Sequence, residues 1–104
     1  MKNYKPINGE QLNKYLADNK AILLDARGSI DDGYIQNSLN IGLNTPFAVW
    51  VGALVDPHTP LVLLAEEGAE EEAALRLKRI GFDHILGYLK GGFEAAKSSG
   101  KVSI

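Results

Sequence analysis

The chain has 104 residues and a net charge of −2, and this length is enough for one hydrophobic core, so we expect a single domain over residues 1–104. It has no cluster of basic residues and no apolar run of membrane-spanning length, which argues against nucleic-acid and membrane partners. The absence of cysteine excludes disulfides, thiolate metal sites and a cysteine nucleophile within these residues. The first residues lack the apolar segment of a signal peptide, which predicts a cytoplasmic protein.

The first predicted elements are a helix and a buried strand. Asn8, with Gln11 three residues later, forms the pattern of a capping box, and Leu12 and Leu16 follow at helical spacing. The next apolar segment, Ala21 to Asp25, has the length of a buried strand. We therefore expect a helix that packs one apolar face on a sheet, followed by a strand inside that sheet.

Two charged residues lie where this strand reaches the surface. Asp25 is suited to accept hydrogen bonds and Arg27 to pair with a carboxylate, so that both residues hold loops in place. A direct role in catalysis is the alternative, because charged groups with perturbed environments also occur at active sites. The structural role is favoured, since a charged pair at a strand end commonly stabilises the fold.

The middle of the chain predicts a short strand around Leu39 to Ile41 and a helix that begins after Pro46. The helix carries an apolar stripe, which predicts a side that packs in the core. This stripe consists of Phe47, Trp50, Val51 and Leu54. Because the same run is apolar on its other side as well, it also fits a contact patch for another domain, and the possible interface residues are Phe47, Trp50 and Val51.

The central segment of the chain is a buried strand, a turn and a helix. The strand is Leu61 to Leu64, the loop covers residues 65–69, and the helix runs from Glu70 to Ile80 and ends before Gly81. The expected core residues of the helix are Ala73, Leu77 and Ile80. This order of elements often places an anion or a nucleophile at the helix N-terminus. The loop contains carboxylates and no Cys, Ser, Thr, His, Lys or Arg, so we expect the scaffold of a site without its usual chemistry.

The last predicted elements are a strand over Ile85 to Leu89, a turn at Gly91-Gly92 and a short helix from Glu94 to Ser99. Short apolar strands that alternate with helices are typical of an α/β domain with right-handed crossovers. We therefore expect a small, mainly parallel central sheet flanked by helices.

These segments, in this order, resemble the rhodanese-homology family along essentially the whole chain. The resemblance rests on Leu23-Leu24-Asp25-Ala26-Arg27, on Gly33-Tyr34-Ile35 followed by Ser38 to Ile41, and on Arg79 to Phe82 with the later Gly91-Gly92. The family usually has histidine where this chain has Tyr34. The resemblance implies a rhodanese-like three-layer domain in which Asp25 and Arg27 are structural family positions.

The same resemblance bears on the central loop. Active members of the family begin this loop with a cysteine and cradle sulfur or an oxyanion on backbone N–H groups. The cysteine position aligns with Ala65, the loop glycine with Gly68, and the later arginine falls on or near Glu70. Because nucleophile and cation are both replaced, the resemblance implies that the isolated domain is not an enzyme. The vestigial active-site loop consists of Ala65, Glu66, Glu67, Gly68, Ala69 and Glu70.

Five carboxylates surround the start of the helix that follows this loop. They are Glu66, Glu67, Glu70, Glu71 and Glu72. Each stabilises the helix N-terminus by roughly 0.3–1 kcal/mol when it lies near the first turn. Each also repels an approaching anion, so we expect the loop to bind anions poorly.

Other uses of the carboxylates are less favoured. A carboxylate-based hydrolase needs an enclosing pocket, of which the sequence gives no sign. A cation site, for example calcium on Glu66, Glu67 and Glu70, lacks the Asp/Asn-Gly spacing of calcium loops. Neither His58 nor His84 has a metal-binding partner at helical spacing. We expect no metal and no cofactor.

A closer resemblance concerns the helix Phe47 to Gly52, the loop Leu64 to Gly68 and the segment Gly87 to Gly92. These look like the Cys-less C-terminal rhodanese domain behind a metallo-β-lactamase-fold domain in bacterial proteins related to persulfide dioxygenases and glyoxalase-type hydrolases. The resemblance implies a domain excised from a longer multidomain protein, with an adjacent metallo-β-lactamase-fold or rhodanese domain as its partner.

Two functions follow from this resemblance. The first is an inactive interaction, regulatory or structural module of a sulfur-metabolism protein. The alternative is a substrate-binding component of a sulfurtransferase or persulfide-processing enzyme whose catalytic residues lie in another domain. A phosphatase on the same fold also needs the missing cysteine and is set aside.

Overall fold

A computed structural model describes residues 4–100 and 102–104, which form five short strands and four helices. The strands are β1 (Lys5–Ile7), β2 (Ile22–Asp25), β3 (Leu39–Asn40), β4 (Leu61–Leu64) and β5 (Ile85–Leu89). The helices are α1 (Gly9–Ala17), α2 (Phe47–Leu54), α3 (Glu70–Lys78) and α4 (Gly92–Ser99). No helix in these described ranges has the length and apolar character needed to cross a membrane.

The strands form one sheet in the order β1-β5-β4-β2-β3, and every neighbouring pair is parallel. Strand β4 lies at the centre, and all four of its residues are buried. A parallel strand with helices on both faces has no solvent-exposed side, which explains why this segment is apolar at every position. The predicted α/β fold with a parallel sheet is confirmed.

Helices cover both faces of this sheet and make three layers. Leu61 and Leu63 point into a core cluster that also contains the buried residues of α2 and α3. Val62 and Leu64 point into a second cluster, which α1 and α4 complete with Leu12, Phe93 and Ala96. Alternate residues of one strand therefore anchor two separate helix layers.

The ends of α1 and α3 follow the sequence signals. The capping box of α1 is present, with Asn8 and Gln11 each accepting a hydrogen bond from the other's backbone N–H at 2.9 Å. At the end of α3, Gly81 has a φ of +95°, and Phe82 N donates to Leu77 O in a Schellman motif. The predicted burial of Ile80 is wrong, since it is 38% exposed. The regular helix ends at Lys78, and Ile80 lies over Gly52 on the flank of α2.

The core prediction for α2 is correct for one part of the apolar stripe and wrong for the other. Phe47 and Val51 are completely buried, but Trp50 is 52% and Leu54 62% exposed. Helix α2 contacts the sheet along the line Phe47, Val51 and Val55, and the neighbouring ridge of the helix faces solvent. The predicted interface is corrected accordingly, because only Trp50 of its three residues is accessible to a partner.

Strand β1 is absent from the sequence prediction. Its three residues include a proline and show no periodicity, and they pair only with β5, at the edge of the sheet. An edge strand tolerates proline because one side of its backbone makes no sheet hydrogen bonds. A Cβ at Gly87 would come 2.1 Å from Lys5 O, so the glycine is what lets the two strands approach.

Candidate functional site

The carboxyl end of β2 carries a buried ion pair. Arg27 donates from Nε to Asp25 Oδ1 at 2.9 Å and from Nη2 to Asp25 Oδ2 at 2.7 Å. The Asp25 side chain is fully buried and that of Arg27 is 8% exposed. A buried pair of this kind requires paired, charge-assisted hydrogen bonds to offset the cost of desolvation.

The same pair organises the chain around it. The backbone N–H of Arg27 donates to Asp25 Oδ1, and Arg27 Nη2 also donates to Gly33 O at 3.0 Å. The Asn40 side chain donates to Asp25 O and Arg27 O, so the segment after β2 is held on both sides. The Arg27 guanidinium also stacks on the Phe93 ring of α4 at 4.3 Å from its centroid. These are the contacts of residues that hold loops in place.

A cleft of about 690 Å³ opens at the carboxyl ends of the central strands. Three segments that are distant in sequence line it. They are residues 27–32 after β2, residues 65–70 after β4, and residues 91–94 at the start of α4. The connections from β2 and β4 leave in opposite directions, and such a switch point in a parallel sheet is where α/β proteins place ligands. No pattern in the sequence had indicated this cleft.

Ala65 lies at the floor of the cleft, directly after β4, and is 4% exposed. The loop that follows turns at Gly68, whose φ of +86° is readily accessible only to glycine. The methyl group of Ala65 offers no nucleophile and no hydrogen bond. The position at which the resemblance places a cysteine is therefore oriented toward the cleft but is chemically inert.

Carboxylates of the chain itself bind backbone N–H groups around this floor. Glu66 Oε1 accepts from Gly28 N at 3.0 Å, across two different loops. Glu70 Oε1 accepts from Gly68 N at 3.0 Å, within the central loop. Neither glycine lines the cleft itself, but both bonds fix a lining carboxylate in place and so keep negative charge close to Ala65.

The remaining lining of the cleft is also acidic. The carboxylates that line it are Asp32, Glu66, Glu67, Glu70 and Glu94. Among the lining residues that the structure describes, Arg27 is the only cation, and its charge is compensated by Asp25. The charges around the cleft therefore disfavour anions, and poor anion binding stays a prediction.

The structure brings only part of the predicted loop into the cleft. Ala65, Glu66, Glu67 and Glu70 line it, whereas Gly68 and Ala69 do not. The contribution of Ser29, Asp32, Phe93 and Glu94 was missed, although the double glycine before α4 was a signal for close approach of the backbone. Trp50 lies elsewhere, on a groove of about 370 Å³ beside β3. Among the described residues, no group of His, Cys, Asp or Glu is placed to hold a metal ion, so calcium on Glu66, Glu67 and Glu70 has no geometric support.

Comparison with known proteins relates this architecture to one family. The model of the rhodanese-like domain matches residues 8–99. No curated protein matches the chain. Several solved structures share its fold. The Alr3790 protein of Anabaena sp. is 20% identical with a TM-score of 0.78, over 90% of this chain and 77% of that one.

Two further similar structures are described as single-domain sulfurtransferases. RDL2 of Saccharomyces cerevisiae is 19% identical with a TM-score of 0.73, over 94% of this chain and 92% of that one. Human TSTD1 is 18% identical with a TM-score of 0.69, over 89% and 95%. At this level of identity the likeness establishes the fold alone.

Proposed function

The chain belongs to the rhodanese-like domain family, and we propose that it is a domain without sulfurtransferase activity, which serves a larger sulfur-related assembly as an interaction, regulatory or structural module. One observation carries the proposal. The cleft that would receive a sulfur anion has Ala65 at its floor and the carboxylates of Glu66 and Glu70 on the neighbouring backbone N–H groups. The cleft thus offers no nucleophile at this position, and its carboxylates oppose an incoming anion.

The test is sulfur transfer from thiosulfate to cyanide by the purified chain and by variants at Ala65. The unmodified chain should show no turnover above the uncatalysed rate. Ala65→Cys should remain folded but nearly inactive, because surrounding carboxylates disfavour a thiolate and repel thiosulfate. Ala65→Cys combined with Glu66→Gln and Glu70→Gln should be at least tenfold more active than the single variant.

Two controls complete this experiment. Ala65→Ser also adds one heavy atom to the side chain but supplies no thiol. It should be inactive both alone and in combination with Glu66→Gln and Glu70→Gln. Combining Ala65→Cys with Glu71→Gln and Glu72→Gln removes the same charge from α3 outside the cleft and should give no such gain. Turnover by the unmodified chain, or full activity of Ala65→Cys alone, would overturn the proposal.

The presence of a cleft favours one alternative, a substrate-binding component for a catalytic domain elsewhere. That function requires thiosulfate or a small persulfide to bind near Ala65 and Arg27. Amide chemical shifts that saturate on titration with either compound, confined to residues 27–32 and 65–72, would favour the alternative. Unchanged shifts at these residues support the module.

The partner that we propose is an adjacent metallo-β-lactamase-fold or rhodanese domain in a bacterial, cytoplasmic protein. Two features support it, the sequence resemblance and the exposed apolar ridge of α2. This ridge is formed by Val49, Trp50 and Leu54, which are 71%, 52% and 62% exposed. Sequencing the gene on both sides of the coding region for this domain tests the proposal, and a reading frame without a neighbouring domain would contradict it.

A further inference from the structure

We propose that the cleft binds a small amino compound, holding its ammonium group on the rim carboxylates and a neutral carbonyl oxygen on Arg27 Nη1. The inference rests on the proposed function, because a working sulfurtransferase would need the same cleft for an anion. It assigns the cleft a ligand of the opposite charge.

The first support is an unused hydrogen-bond donor at the base of the cleft. The Arg27 side chain is 8% exposed, and its Nε and Nη2 donate to Asp25 and Gly33. Nη1 has no acceptor among residues 4–100 and 102–104. Every fully buried side-chain nitrogen in those ranges has a hydrogen-bond partner. Because Nη1 has none, it must be in contact with solvent, and Arg27 lines the cleft. A guanidinium N–H in this position lacks only an acceptor.

The second support is the rim. Asp32, Glu67 and Glu94 are exposed lining residues, and their carboxylates have no hydrogen-bond or ion-pair partner within the described part of the chain. Unlike Glu66 and Glu70, they are free to bind a cation. An ammonium group is attracted by all five lining carboxylates, whereas a ligand carboxylate would be repelled by them. The acceptor for Nη1 is therefore a neutral carbonyl oxygen and not an anion.

Shape and wall chemistry agree with a ligand larger than a single ion. A volume of about 690 Å³ falls within the range of roughly 300–1,000 Å³ that is usual for small-molecule sites. Phe93 lines the cleft beside the Arg27 guanidinium that stacks on its ring, and it contributes apolar surface to the wall. A short methylene chain between ammonium and carbonyl would lie against it. Lysine amide and an N-terminal lysine of a peptide share this chemistry, because the side-chain ammonium and the carbonyl are joined by a methylene chain.

The probe is L-lysinamide, titrated into the isotopically labelled full chain at low ionic strength. We expect saturable shifts of the Arg27 Nε–H signal and of the amides of residues 65–67 and 91–94. Glu67→Gln combined with Glu94→Gln should weaken binding at least tenfold. Glu71→Gln combined with Glu72→Gln removes the same charge outside the cleft and should change the affinity less than twofold.

Further probes separate the two contacts and the possible sources of the ligand. 1,5-Diaminopentane carries the same two ammonium groups without the carbonyl and should bind at least fivefold more weakly, without shifting the Arg27 signal. A tripeptide amide that begins with lysine distinguishes the sources: tighter binding than lysinamide assigns the site to a peptide segment, and equal binding assigns it to a free small molecule.

The inference is overturned if lysinamide gives no saturable shift, or if the two double variants lose affinity equally. Equal binding of 1,5-diaminopentane would refute the role of Arg27. The proposed function fails separately, by thiosulfate turnover or by saturable thiosulfate binding in the cleft. Failure of lysinamide together with absence of thiosulfate binding would therefore overturn this inference alone.

Discussion

At the scale of single residues, the Asp25–Arg27 ion pair is buried and joins several segments of the chain. Asp25 is fully buried and accepts from two side-chain nitrogens and one backbone N–H of Arg27. Asp25→Asn keeps the shape of the side chain but leaves the guanidinium without its counter-charge. We expect the free energy of unfolding to fall by about 3–5 kcal/mol, the usual cost of breaking a buried pair, measured by urea denaturation.

The matched control for this variant is the exposed pair Asp18–Lys20, whose nitrogen and oxygen lie 3.7 Å apart and whose side chains are 61% and 70% exposed. Asp18→Asn should change stability by less than about 1 kcal/mol. A similarly small effect of Asp25→Asn would show that the buried pair is not what holds these loops, and the catalytic alternative for Asp25 would regain weight.

At the scale of helices and strands, α2 shows how an apolar helix divides between core and surface. Phe47 is fully buried, and Phe47→Ala should cost about 3–5 kcal/mol in unfolding free energy. Trp50 is 52% exposed, so we expect Trp50→Ala to cost less than about 1.5 kcal/mol, since half of its surface never leaves water. Chemical denaturation of both variants measures the difference, and equal losses would contradict the exposed position of Trp50.

The elements also show what sequence patterns can and cannot predict. The strand β4, the capping box and the glycine that ends α3 were predicted because each is determined by neighbouring residues. Strand β1 was not, because it exists only through pairing with a strand some eighty positions later, and its own three residues have no strand periodicity. The exposed ridge of α2 was misjudged for a related reason. An apolar stripe does not reveal how wide a face the neighbouring layer covers.

At the scale of the whole molecule, the cleft was likewise only partly predictable, because part of it depends on residues that are distant in sequence. Its local part, the acidic loop with Ala65 in place of a nucleophile, was predicted from the sequence. Its enclosure was not, because residues 27–32, 65–70 and 91–94 meet only when the central strands lie side by side. The bond from Gly28 N to Glu66 Oε1 joins two of these segments across 38 positions, and no local pattern predicts such a contact.

Residues 102–104 contact segments that support the cleft, so deleting them should alter its structure. Val102 is buried in the cluster that contains Phe93, Gln36 N donates to Ser103 O at 2.8 Å, and Ile104 lies beside Gly33. Gly33 O accepts from Arg27, which connects the tail to the cleft.

Deleting residues 102–104 should lower the free energy of unfolding by about 2–4 kcal/mol, from one buried valine and a lost hydrogen bond. It should also shift the Arg27 Nε–H signal. Val102→Ala keeps the main chain in place, so it should destabilise the fold without moving that signal. An unchanged signal in the deletion variant would show that Gly33 holds its position without the tail.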